Sequence, residues 1–396
     1  MADKTDRETV DRIGELVTPL LDWYSEHKRS LPWREAPSPY HVWISEIMLQ
    51  QTRIEAVMGY YERFLKRLPA VEDLAEVPDD ELMKLWEGLG YYSRARNLKK
   101  AAIRLTEEFD GELPADYDLL VSLPGIGNYT AGAIASIAYG LPEPAVDGNV
   151  MRVVMRFLDR DDDIMSQRVR REVEDALREV MQGAFGDGDA ATAHAARGEQ
   201  LAPSYAGDFT QALMELGEVV CIPNGEPLCE KCPLAELCKG RASGRAGELP
   251  VRKVKTKRRV EKRTVFLIRD DEGRVLIRRR PETGLLAGLW EFPSVEGHVK
   301  KSQVEESVRR IFFDSISENV PRTDAPAEKV PGGGMAVDIR RLPAAKHIFS
   351  HIEWDMIGYE VRIAPHHIVG ELWADPHDLV EKYALPTAFS AYLRLV

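Results

Sequence analysis

The chain has 396 residues, 44% hydrophobic and 30% charged, which is too long for one ordinary core, so two domains or more are expected. No segment approaches eighteen uncharged apolar residues, which excludes a membrane-spanning helix, and the charged first sixteen residues carry neither a secretory nor a transit pattern, so a cytoplasmic protein is expected. The formal net charge of −12 argues against a polyanionic partner when taken alone, although a global sum says little about one binding face.

From about Thr9 to Leu216 apolar residues recur at helical spacing, with turn signals between them, so this half is expected to be all-α. One helix starts near Ser38 and places Glu46 and Gln50 one turn apart on a more polar side. Another, within Tyr91 to Phe109, puts Leu98, Ala102, Leu105 and Phe109 on one stripe with Ser93 as its cap. The stretch 182–205 is rich in Gly, Ala and Asp without periodicity and reads as an inserted loop of no assigned function. Residues 239–260 form a connector. Eleven Lys or Arg stand between 239 and 263 against Glu248 and Glu261, so basic charge is concentrated there, either as a solvated linker or against phosphates. Beyond it the period changes. Thr264 to Arg269 and Val275 to Arg278 are runs of strand-forming residues around Asp-Asp-Glu-Gly, a hairpin signal. More strands are expected near Lys346 to Phe349 and Met356 to Ile363, with a helix near Val304 to Phe312. The part from 261 to 396 therefore reads as α+β.

Three motifs carry chemistry. The four cysteines follow Cys221-x7-Cys229-x2-Cys232-x5-Cys238, close enough to converge on one soft-metal centre, zinc or iron–sulfur, which spacing alone does not decide. The run Leu123-Pro-Gly125-Ile-Gly127-Asn-Tyr129 lies between two helical stretches. Its backbone N–H groups could seat a phosphate, or the glycines could serve only close helix packing. Val146-Asp147-Gly148-Asn149-Val150 puts a carboxylate between apolar neighbours at a helix start, where it could be no more than an N-cap.

Taken together, LPGIGNYTAGAI at 123–134, VDGNV and the cysteines at 221–238 resemble the endonuclease III, or helix-hairpin-helix-GPD, superfamily of DNA base-excision glycosylases. LPWR at 31–34, SEIMLQQTR at 45–53 and GLGYYSRARNL at 88–98 are similar to its MutY-type, adenine-excising branch. That family's Nudix-like recognition domain is similar to the C-terminal part, with His347-Ile-Phe349-Ser350-His351 as its lesion-reading loop. The resemblance implies a glycosylase domain at 1–238 with an iron–sulfur module, and a Nudix-like domain at 261–396, clamping duplex DNA. It implies a monomer that binds A:8-oxoguanine or A:G mispairs, without a membrane, and excises the adenine.

The implied roles fall on particular residues. Breaking an N-glycosidic bond needs a proton for the departing base and negative charge near the sugar cation, work for two carboxyl groups in different environments. Glu46 is implied as the acid, and Asp147 as the group that stabilises or transiently attacks the sugar. Bifunctional relatives have lysine where this chain has Tyr129. A phenol cannot form their imine, which favours a monofunctional enzyme with Tyr129 hydrogen-bonding near Asp147 and Asn149 orienting that carboxylate. Gln51 and Tyr91 are implied as wedges that fill the gap left by the flipped base. Arg29, Leu31, Trp33, Arg34 and Gln211 are implied as the adenine pocket, Leu123, Gly125 and Gly127 as the DNA clamp, and Phe349, Ser350 and His351 as readers of 8-oxoguanine. The cysteines are implied to hold a [4Fe–4S] cluster, zinc being the alternative, because the family spacing of six between the first two is seven here. Gly288 to Pro293 also occurs in Nudix hydrolases, but KKSQVEESVRRIF lacks the acidic pairing a Mg²⁺ site needs, so recognition without hydrolysis is expected.

Overall fold

The structure is a computed structural model that describes residues 7–35, 37–186, 205–252, 258–319, 336–363 and 372–396. It divides into two compact units, one of Met1–Val77 with Arg96–Val254, the other of Pro78–Ala95 with Lys255–Val396. No helix among the described residues is long and apolar enough to cross a membrane.

The described residues of the first unit are helical. Its chain runs through α1 (Arg7–Gly14), α2 (Val17–His27), α3 (Pro32–Glu35), α4 (Pro39–Leu49), α5 (Ile54–Arg67) and α6 (Val71–Glu76). Helix α4 starts as its sequence dictates, with Pro39 in the first turn and Ser38 Oγ accepting from the His41 N–H at 3.1 Å. Glu46 and Gln50 share one side, as expected, Glu46 accepting from Tyr129 O–H at 2.5 Å and Gln50 Nε2 donating to Thr130 Oγ1 at 3.3 Å, but that side faces the interior: Tyr40 and every residue from Val42 to Met48 are buried. The residues after α7 (Asp79–Leu85) turn sharply into α8 (Ser93–Glu108), which buries Leu98, Ala102 and Leu105 as the stripe requires.

Then follow α9 (Tyr117–Ser122) and α10 (Asn128–Ala133), the latter continued by a π-helical turn at Ile134–Ala138, and then α11 (Gly148–Leu158), α12 (Gln167–Phe185) and α13 (Tyr205–Val219). Val150, Val154 and Phe157 of α11 pack with Val173 and Leu177 of α12 and Phe209 and Leu213 of α13 in the core that supports the site. Helix α12 carries the chain to Phe185, four residues into the expected insertion, whose span 187–204 lies outside the described residues.

The expected connector begins later than its composition suggests. Residues 239–251 pack on the first unit: α14 (Lys239–Ala242) is followed by Leu249, whose carbonyl accepts from Arg156 Nε at 2.8 Å, and Val251 accepts from the Ile164 N–H at 3.2 Å. A Cβ on Gly240 would lie 2.3 Å from the Arg156 carbonyl, so this helix approaches α11 closely. Basic composition reports exposure of charge and says nothing of a backbone held from beneath.

The second unit is α+β, as expected. Strands β1 (Arg259–Arg269), β2 (Val275–Arg279), β3 (Trp290–Glu291), β4 (Ser294–Glu296), β5 (Ala336–Ile348), β6 (Ile352–Ile363) and β7 (Leu372–Ala374) form a sheet with the path β3-β2-β1-β6-β5. β1 pairs parallel with β6 and antiparallel with β2, and β5 pairs antiparallel with β6. Helix α15 (Val304–Asn319) covers one face through Val304, Val308 and Ile311 against Phe266, Ile268 and Ile357. Leu379, Leu385, Phe389 and Tyr392 cover the other, over Val265, Leu267 and Trp354. Residues 78–95 join this unit through hydrogen bonds from Lys84 Nζ to the Tyr383 carbonyl (3.2 Å) and from the Leu385 N–H to Glu87 (2.9 Å). Helical periodicity shows that α7 buries one face but cannot say against what, so the expected boundary at 238 missed it.

Candidate active site

A cleft in the first unit encloses about 800 Å³, solvent at its mouth included, and is lined from α3, α4, α10, the start of α11, and α13. It gathers Arg29, Leu31, Trp33, Arg34, Glu46, Tyr129, Asp147, Asn149 and Gln211, residues spread over most of the helical sequence.

Glu46 is buried on α4, and Tyr129 O–H donates to its Oε2 at 2.5 Å. Burial pushes the Glu46 carboxyl up to about 7, against the lowering effect of that hydrogen bond, and nearby Asp147 adds to the rise. Burial also holds the Tyr129 phenol well above its usual range, so it remains a donor. Tyr129 therefore bonds Glu46 and not Asp147, which corrects the expected pairing: as the second residue of α10 it faces α4.

Asp147 does cap α11, accepting from the Asn149 and Val150 N–H groups at 2.8 Å each. The cap leaves Oδ2, which accepts from Asn149 Nδ2 at 2.8 Å, so Asn149 orients the carboxylate as expected. Burial raises the Asp147 pKa despite these bonds. Arg152 holds Asn149 in turn: its Nη2 donates to Asn149 Oδ1 at 2.7 Å, and its Nε donates to the Cys221 carbonyl at 2.7 Å.

At the other end of the cleft Leu31 and Trp33 are buried, and Trp33 meets Tyr61 edge-on at 5.5 Å. Arg29 and Arg34 are not free surface charges. Both bond Glu215, which sequence reasoning missed and which is 1% exposed on α13, one turn after Gln211. Arg34 also bonds Gln211 Oε1 at 3.1 Å. The i, i+4 spacing of Gln211 and Glu215 was the signal available.

The residues expected to meet DNA lie on turns. Gln51, after α4, and Tyr91, before α8, are exposed and hold φ of 57° and 46°, a left-handed backbone that side chains disfavour. Three contacts support the Tyr91 turn: Arg94 Nη2 donates to the Leu89 and Gly90 carbonyls at 3.1 and 3.2 Å, and Trp86 Nε1 to Gly90 at 3.1 Å. In the hairpin Gly125 has φ of 79°, and a Cβ there would sit 2.6 Å from Asn97 Cβ. Gly127 caps α10 facing open space, whereas Leu123 is buried, so only its main chain could meet a phosphate. The close-packing reading of this motif holds at Gly132, where a Cβ would lie 2.0 Å from the Pro144 carbonyl.

In the second unit Ser350 and His351 form the exposed tip between β5 and β6, closed by the Phe349 N–H to the Ile352 carbonyl at 2.8 Å. Phe349 is half-buried against Trp354, ring centroids 4.9 Å apart, and Ser350 Oγ lies 3.1 Å from His351 Nδ1. Glu291 of the Nudix-like stretch is buried between Arg278 Nε (2.9 Å) and Arg280. Glu305 and Glu306 make i, i+4 ion pairs with Arg309 and Arg310 on α15.

The four cysteines line one cavity with Arg156 and Arg241, and Arg156 Nη1 lies 3.3 Å from Cys221 Sγ. Among the described residues no group of three or more His, Cys, Asp or Glu is arranged to hold a metal ion. Four thiols lining one cavity beside two guanidiniums are a soft donor set that suits a thiolate-bound metal centre.

Residues 44–179 match the model of the HhH-GPD superfamily of base excision DNA repair proteins, and residues 264–395 match that of the NUDIX domain. Three similar proteins carry the name adenine DNA glycosylase. That of Homo sapiens is 33% identical over 387 residues, 84% of this chain and 64% of its own length, so the chain spans less than two thirds of it. That of Mus musculus is 33% identical over 84% of this chain and 68% of its own. That of Buchnera aphidicola subsp. Baizongia pistaciae is 33% identical over 69% and 72%.

Proposed function

The chain belongs to the adenine DNA glycosylase family, with an HhH-GPD helical domain and a Nudix-like domain, and from that premise we propose that it is a monofunctional glycosylase that removes adenine paired with 8-oxoguanine or guanine. The observation that carries the reading is the pair of carboxyls in one cleft, Glu46 neutralised by burial at a pKa of about 7 and Asp147 bound by two backbone N–H groups and Asn149.

The flipped adenine enters the cleft, and Glu46 gives its proton to N7 as the bond from N9 to C1′ breaks and its electron pair moves onto the base. Asp147 balances the cation at C1′, and water adds there, passing a proton to the Glu46 carboxylate, to leave an abasic site. A phenol at Tyr129, held as a donor to Glu46, offers no amine for a Schiff base, which supports base removal without strand cleavage. Gln51 and Tyr91 fill the gap in the duplex, the backbone from Gly125 to Asn128 meets phosphates, and the Phe349–His351 tip reads 8-oxoguanine. Cys221, Cys229, Cys232 and Cys238, which line one cavity, would hold a [4Fe–4S] cluster, and it would cross-link the loop from Cys221 to Cys238.

Single-turnover release of adenine from duplexes carrying A:8-oxoguanine, A:G or A:T tests this. Rapid release from the first, slower from the second and none from the third is expected, with the strand left intact until alkali is added. Tight binding without release, or efficient borohydride trapping of a Schiff base, would overturn the reading.

A further inference from the structure

An amide recognises a base in two orientations. With its oxygen towards N6 and its NH₂ towards a ring nitrogen it matches the donor–acceptor edge of adenine; turned by 180° it matches the acceptor–donor edge of hypoxanthine, in which the amino group is replaced by a carbonyl and N1 carries a proton. Gln211 in the cleft therefore carries no preference of its own. Arg34 removes the ambiguity: a guanidinium only donates, so the amide atom 3.1 Å from Arg34 Nε has to be the oxygen, and the NH₂ end is fixed by exclusion.

Arg34 is itself fully held. Its Nη1 donates to the Arg29 carbonyl at 3.1 Å, its Nη2 donates to Glu215 Oε2 at 2.9 Å, and its plane lies over the Tyr24 ring at 5.5 Å. Glu215 completes the clamp through Arg29, whose Nε and Nη2 reach its two oxygens at 2.5 and 3.1 Å. Its burial works against ionisation, but the two guanidiniums outweigh that and hold its pKa below the ordinary value.

We propose that Glu215 is a positioning residue that sets base choice: through Arg34 it fixes which end of the Gln211 amide meets the bound base, so that the cleft accepts a 6-amino purine and rejects a 6-oxo purine. This rests on the base-excision reading above. Without Glu215 the Arg34 fork loses its anchor, and the amide is free to turn.

The test compares single-turnover base release from duplexes carrying adenine or hypoxanthine opposite 8-oxoguanine, in wild type, Glu215→Gln, Arg34→Lys and Gln211→Glu. In Glu215→Gln the ratio of adenine to hypoxanthine release is expected to fall about ten-fold or more, the scale of one bidentate contact. Arg34→Lys, which keeps the charge but not the fork, is expected to lower it likewise and decides the matter should Glu215→Gln not fold. A carboxylate has no NH₂ end to turn, so with Gln211→Glu in place the further change Glu215→Gln should leave the ratio unmoved. Equal loss on both substrates, or the same fall in the Gln211→Glu background, would show Glu215 to be structural only and overturn the proposal. A wild type that releases neither base sinks the excision reading itself and this inference with it, whereas adenine release with an unshifted ratio sinks the inference alone.

Discussion

Three glutamates are buried to nearly the same degree and have very different partners. Glu46 in the helical unit is 6% exposed, and Glu291 and Glu360 in the sheet unit are 2% and 7% exposed. Each of the sheet glutamates lies between two guanidiniums, Glu291 between Arg278 and Arg280 and Glu360 between Arg269 and Arg340. Glu46 receives a hydrogen bond from a neutral phenol, and among the described residues neither it nor Asp147 takes part in an ion pair. Burial alone therefore does not make a carboxyl reactive. A carboxyl held between guanidiniums is committed to structure, whereas burial without an ion pair raises the Glu46 carboxyl to about 7, where it can give a proton away. The same contrast explains why the Nudix-like unit is read as a recognition domain, since arginines hold its acidic groups.

The largest effect should come from removing the unpaired acid. Glu46→Gln keeps shape and hydrogen bonding but not the proton, and single-turnover adenine release should fall by about a thousand-fold. The same substitution should also make the fold more tolerant of alkali. A carboxyl whose folded pKa is raised from 4.5 to about 7 contributes stability in full below pH 4.5 and loses it as pH rises through 7. The shift corresponds to about 3 kcal/mol, so thermal melts of wild type and Glu46→Gln should diverge in favour of the variant between pH 5 and pH 8.

The paired acid should respond in the opposite sense. Glu291→Gln strands the partly buried Arg280 and Arg278 and should destabilise the C-terminal unit by about 2 kcal/mol at neutral pH, seen in a urea titration. Ser350→Ala removes an exposed hydroxyl from the β5–β6 tip and should leave both melts alone, while lowering discrimination between A:8-oxoguanine and A:G by about five-fold. Equal losses on both duplexes would count against that tip as the reader.

Much of this contrast was legible before any coordinates. Glu46, Asp147 and the pocket residues were reachable because motifs mark them, α4 because its Ser38 cap fixes where it starts, and α8 because its apolar spacing marks a buried stripe. What escaped was set by packing across the chain. Glu215 looks like any helix carboxylate until Arg29 and Arg34, some 180 residues earlier, fold against it. The partner of Tyr129 depended on which helix α10 faces, and the attachment of residues 78–95 to the sheet unit depended on hydrogen bonds to Tyr383 and Leu385. No local period carries such information. The residues at 239–251 misled for the converse reason, since their basic composition conceals a backbone held by Arg156 and Ile164.

The central claim is that Glu46 acts as a neutral acid because nothing pairs with it, and the most direct measurement is the single-turnover rate of adenine release from an A:8-oxoguanine duplex between pH 5.5 and 8.5. A rate that falls ten-fold per pH unit above about 7, with that limb absent from the residual activity of Glu46→Gln, is the expected result. A rate that is flat or rises across this range, or a limb that survives in Glu46→Gln, contradicts it.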